Sequence, residues 1–194
     1  MSAPTPPAGA LRVDLAPHRN NAAFLAAGTA PGDGFDGFGR AYPAEELGAV
    51  AALLDMPADL GRGVPDNIAC EGQVLTLDFP VRAGGIQVVG AGSGGTVSET
   101  VRLHADAGGA PGTAVDARVE LSDFLSRRPV FDDRCFAHSR YLYDVGARPE
   151  HGAEPRLWAS TVRFPEPVHC VRVTLPVNPD LHVMGLWLLP AGDR

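Results

Sequence analysis

Alternation of apolar and polar positions dominates this chain of 194 residues. Leu11, Val13 and Leu15 alternate with Arg12 and Asp14 before Pro17, which predicts a first strand. Leu75, Leu77 and Phe79 alternate with Thr76 and Asp78, Ile86 to Val89 is a short apolar run, and Thr96 to Asp106 and Ala114 to Leu121 alternate again. Arg140 to Val145, Leu157 to Phe164, His169 to Leu175 and His182 to Leu189 complete the series, with an aperiodic stretch at Arg127 to Arg134 between. Helical spacing occurs over Ala44 to Leu54, where Leu47, Val50, Ala51 and Leu54 recur behind Glu45 and Glu46 in the first turn. The glycines and proline of Pro57 to Gly72 make Val64-Pro65-Asp66-Asn67 a turn. Half-buried strands alternate and their connections need turn residues. About eight or nine of them therefore predict an all-β, antiparallel β-sandwich of jelly-roll type with one short helix. The expected layout is a single domain over 10–190, a disordered tail over 1–9 and a short C-terminal tail over 191–194.

Two glycine-rich stretches interrupt the pattern. Gly32-Asp33-Gly34-Phe35-Asp36-Gly37-Phe38-Gly39 sets four glycines and two acids around two phenylalanines, a composition that suits neither helix nor strand. It reads as an ordered loop anchored by buried rings, either a plain connection or a loop that also holds an ion or lines a ligand site. Gly90, Gly92 and Gly95 fall in a G-x-G-x-x-G frame after an apolar strand. A dinucleotide fingerprint needs a helix next, whereas Val97, Val101, Leu103 and Ala105 share strand parity, so this stretch reads as a β–β connection.

A net charge of -7 leaves no broad basic surface, which argues against nucleic acid or an anionic membrane and in favour of a neutral or cationic small ligand. The Met1 to Gly9 segment is small and proline-rich, without the basic start and apolar centre of a signal peptide, and a cytoplasmic location is the expectation. Cys70, Cys135 and Cys170 are widely spaced and fit free thiols; Cys135, beside Arg134 and near His138, is the one candidate nucleophile. The six histidines form no His-x-x-x-His pair, so no zinc pattern is present.

Several segments together resemble the galactose-binding-like, jelly-roll β-sandwich domain found in actinobacterial proteins, often appended to glycoside hydrolases or other secreted enzymes. They are Val13-Asp14-Leu15 with Asn20-Asn21, Phe35-Asp36-Gly37-Phe38-Gly39 with Tyr42-Pro43-Ala44-Glu45, and Gly63-Val64-Pro65-Asp66-Asn67. Leu121-Ser122-Asp123-Phe124 and Pro179-Asp180-Leu181-His182-Val183 follow in the family's order. The chain departs from the family at Phe38, where the loop usually carries glycine. The resemblance implies that Asn20, Asn21, Asp36, Asp66, Asn67 and His182 converge at one end of the sheets, where such domains bind ligands or calcium. Asp36 and Asp66 are the metal candidates. The same residues equally suit a buried hydrogen-bond network that pins loops.

His182 shares parity with Met184, Leu186 and Leu188, which favours a core imidazole bonded to a loop. Trp187, on the other parity with Val183, is a stacking platform if that face is open and core if it is not. Asp133, His138 and Tyr141, with His104, are the candidates for acid–base chemistry, set against a solvated loop of paired Arg and Asp. The expected function is a non-catalytic binding module for a carbohydrate or similar polar small ligand, with no required cofactor and calcium as a candidate structural ion. The alternatives are a stand-alone cyclase, isomerase or hydrolase of specialised metabolism, and a purely structural partner-binding domain.

Overall fold

The computed structural model describes residues 8–48, 50–105 and 114–192. Most of the expected N-terminal tail, part of the C-terminal tail and Asp106 lie outside the described residues. In chain order the elements are β1 (Leu11–Arg12), β2 (Phe24–Leu25), β3 (Tyr42–Pro43), α1 (Val50–Leu53), β4 (Ile68–Glu71), β5 (Val74–Gly92) and β6 (Val97–Ala105). They continue with β7 (Ala114–Leu121), β8 (Arg134–His138), β9 (Tyr141–Tyr143), β10 (Pro149–His151), β11 (Arg156–Thr174) and β12 (Val177–Pro190). Eight of these strands form one sheet in the order β1-β12-β5-β11-β6-β7, with β4 beside β12 and β8 beside β11. All its pairings are antiparallel, so the chain is the all-β sandwich expected from the alternation.

Strand lengths differ from expectation for a physical reason. The pattern reads 73–79 and 86–89 as separate strands, and likewise 157–164 and 169–175, because Pro80, Gly84-Gly85 and Pro165 to Pro167 break the alternation. The chain instead runs through both breaks, and register shifts between Arg163 and Val168 and between Cys170 and Arg172 absorb the extra residues. Along its other edge β11 pairs with β8 at Arg156 to Ala159 and with β6 at Cys170 to Thr174. It thus changes neighbours midway, and the sheet folds over its own core.

Strand β12 is buried at every position from Leu181 to Leu189. It has β5 along one edge and β4 and β1 along the other. Leu54, just beyond α1, and the Trp187 ring close over Gly185, and Phe136 of β8 lies 6.4 Å from Trp187. The expected helix is split: a 3-10 turn at Ala44–Glu46 and the four-residue α1 flank Gly48, a poor helix former. Leu47 and Leu54 still bury against the core. The second glycine-rich stretch joins β5 to β6, with Val97, Val101 and Leu103 inward, so a strand stands where a nucleotide fold needs a helix. No helix among the described residues is long and apolar enough to cross a membrane.

Candidate functional site

The stretch from Arg19 to Tyr42 is held against the sheet by its own polar residues. Asn20 works as a backbone mimic: its Oδ1 accepts from the Ala69 N–H at 2.8 Å and its Nδ2 donates to the Ala69 carbonyl at 3.0 Å, clipping the edge of β4. Asn21 and Asn67 pair through an antiparallel bridge. Further on, the Asp36 carboxylate folds the glycine-rich turn onto itself, accepting from the Phe38 N–H at 2.9 Å and the Arg40 N–H at 3.2 Å and pairing with the Arg40 guanidinium. Its side chain is 1% exposed. Phe35 is the anchor, with its ring 4.3 Å from His182, 4.9 Å from Phe124 and 5.1 Å from Tyr42. The Tyr42 hydroxyl donates to the Arg156 carbonyl at 2.8 Å.

A relay of side chains then runs from this loop to β12. Asn21 Nδ2 donates to the Gly34 carbonyl at 3.1 Å. Asn67 Nδ2 faces three acceptors, the Asn21 carbonyl, Asn21 Oδ1 and Asp66 Oδ1, at 2.8 to 2.9 Å. That orientation leaves Asn67 Oδ1 as an acceptor for His182 Nδ1, 2.8 Å away, so the imidazole carries its proton on Nδ1. Asp66, wholly buried, also accepts from the N–H groups of Ala23 and Phe24 at 3.0 and 3.1 Å. Burial pushes its carboxyl up to about 6, against the opposing pull of Asn67 and those two amides. Burial likewise brings His182 down to about 4, with the Asp36 charge pulling the other way. Five of the six expected residues therefore meet around Phe35 and His182, while Asn20 serves β4. Among the described residues no buried side-chain nitrogen or oxygen lacks a partner, so the arrangement has the form of a loop-pinning network.

Beside the network lies a cleft of about 360 Å³, lined by Asn20, Asn21, Leu25, Asp33, Gly34 and Gly39 among others. The Asn21 amide and carbonyl are already engaged in the relay, and so are the Asn20 groups on β4. Asp33 is different: it is exposed, and its carboxylate has no partner among the described residues. Phe38, one residue before the cleft-lining Gly39, stands 79% exposed at the tip of the turn and is not itself part of the lining. Neither Asp33 nor Phe38 stood among the ligand residues expected from sequence. Nothing in the aperiodic loop separates the exposed Phe38 from the buried Phe35, so the sequence carries no signal for either residue. Trp187 is 2% exposed and forms part of the core rather than a platform.

The acid–base candidates have separate partners. Asp133 is buried and accepts from the Ser122 N–H at 2.7 Å and the Ser122 hydroxyl at 3.1 Å. The Tyr141 hydroxyl donates to Glu45 Oε1 at 2.8 Å, as does Tyr143 at 2.6 Å. Burial and these bonds raise Tyr141 above its usual range. His104 meets the Thr174 hydroxyl at 2.9 Å on the outer face of β6, and burial followed by the Arg172 and Arg102 charges lowers its pKa. His138 is exposed at the end of β8. Burial raises the Cys135 thiol, the reverse of what an activated nucleophile needs. Another surface depression, of about 330 Å³, is lined by Gln87, Asp132, Arg134, Ala159 and Thr161.

No group of three or more His, Cys, Asp or Glu placed to hold a metal ion occurs among the described residues. Asp36 and Asp66, the metal candidates, direct their carboxylates at N–H donors. Comparison with known proteins finds no matching family model and no matching curated protein.

Proposed function

We propose that this chain is a non-catalytic binding module for a carbohydrate or similar polar small ligand, seated in the cleft beside the glycine-rich loop. The observation that carries this reading is an exposed ring, Phe38, on a turn braced by Asp36, in the same loop whose Asp33, Gly34 and Gly39 line the cleft. A sugar presents an apolar face and a rim of hydroxyls, and an aromatic platform beside acceptors answers both. The wide separation of roles among Asp133, His138, Tyr141 and His104 adds support for binding without catalysis. The resemblance to galactose-binding-like domains points the same way.

Calorimetric titration of the whole chain with a panel of neutral oligosaccharides tests the proposal, with Phe38→Ala alongside. At least one sugar should bind, and the variant should weaken it by about 1 kcal/mol, roughly five-fold. Absence of binding across the panel, or affinity indifferent to Phe38, contradicts it.

A further inference from the structure

We infer that the cleft sorts its ligands by charge, accepting neutral sugars and favouring amino sugars through Asp33 while rejecting uronic, sulfated or phosphorylated ones. This rests on the cleft being the binding site. Thirteen residues line it, and Asp33 is the single charged side chain among them. Arg40, in the loop itself, is absent from the lining, as are Arg19 and Arg62 beside Asn20 and Gly63; the Arg40 guanidinium pairs with Asp36 and sits 5.2 Å from the centre of the Phe124 ring.

The side-chain amides in the lining are engaged elsewhere. Asn21 Nδ2 is held by the Gly34 carbonyl, and Asn20 Nδ2 by the Ala69 carbonyl and Glu71. What remains on the side-chain wall is a carboxylate, which can only accept. A ligand group facing it must therefore donate, as a hydroxyl or, better, an ammonium does. A ligand carboxylate or sulfate in the same place meets a like charge with no cationic side chain in the lining to offset it, and the chain's net charge of -7 adds repulsion of the same sign at longer range.

The test uses the whole chain and three β-1,4-linked tetrasaccharides: glucosamine, its N-acetylated counterpart and galacturonic acid. Calorimetry should rank glucosamine above N-acetylglucosamine by about five-fold, the scale of a solvent-accessible ion pair, with galacturonic acid last. Asp33→Asn should erase the first gap and narrow the second, and high salt should do the same. Asp33 bonds to the rest of the loop through its main-chain carbonyl, which accepts from the Gly39 N–H at 2.7 Å, so this variant keeps the turn. Equal binding of the three sugars, or a ranking that Asp33→Asn leaves untouched, overturns the inference; if Phe38→Ala still weakens binding, the cleft itself survives. Failure of all three sugars to bind overturns both.

Discussion

The two glycine-rich stretches of this chain are alike in glycine density and do opposite work. In the first, Gly34 has a φ of +68°, and a Cβ there would lie 2.4 Å from the Arg40 carbonyl, so glycine serves to curl the chain back on itself. Asp36 braces that loop from inside, Phe35 roots it in the core, and a cleft opens beside it. In the second, Gly90 keeps strand geometry, and a Cβ there would lie 1.9 Å from the His182 carbonyl. Here glycine lets two strands approach, and the stretch passes directly into β6. Glycine density alone says nothing about ligands; what distinguishes the two is whether acids and rings are present to shape the freed backbone.

The sharpest way to break this contrast is Gly90→Ala. The clash is with main chain on a buried strand, so the variant should lose about 4 kcal/mol or more, or fail to fold, as read by urea unfolding. Gly34→Ala should cost less, about 2 kcal/mol, because a loop can shift where a central strand cannot. Equal costs would erase the distinction. Next comes Asp66→Ala, expected to cost about 3 kcal/mol by leaving the Ala23 and Phe24 amides unpaired in the core. A loss within about 0.5 kcal/mol would mean the network does not hold the loop.

The two titrating ends of the relay oppose each other in pH. Asp66 is raised from 3.8 to about 6, so its contribution to stability is complete below 3.8 and is lost as pH rises through about 6. His182 is lowered from 6.5 to about 4, so its contribution is complete above 6.5 and is lost as pH falls through about 4. Relative to the parent chain, Asp66→Asn should make stability climb more steeply with pH across that window, and His182→Asn should make it fall. Denaturation midpoints at several pH values read both slopes, and slopes of the same sign in the two variants would contradict the assignment. The smallest expected effect is that of chelator. With both Asp36 and Asp66 directed at N–H donors, the thermal midpoint should not move, and a drop of several degrees would bring calcium back into the loop.

Much of this was legible in the sequence because strand burial writes itself as a two-residue period. The parity of Val97, Val101 and Leu103 was enough to turn aside the nucleotide motif. The length of β5 and β11 was not legible, since a proline or glycine pair that a bulge absorbs looks the same as one that ends a strand. Strand β4 went unseen because four residues among turn formers carry too little period to notice. The link from Asn67 to His182 crosses 115 positions, and only the resemblance to a known domain suggested it. Asp33 and Phe38 went unremarked as ligand residues because a loop has no period, and nothing in its composition tells which of two phenylalanines, Phe35 or Phe38, turns inward.

The most direct test of that division, with buried polar residues holding the loop and exposed ones meeting the ligand, is a backbone amide NMR titration with the oligosaccharide that binds best. Shifts should cluster at residues 20–25 and 33–39 and leave 90–95 and the depression at Gln87, Asp132, Arg134 and Thr161 unmoved. Shifts centred on either of the latter would place binding elsewhere and contradict the account.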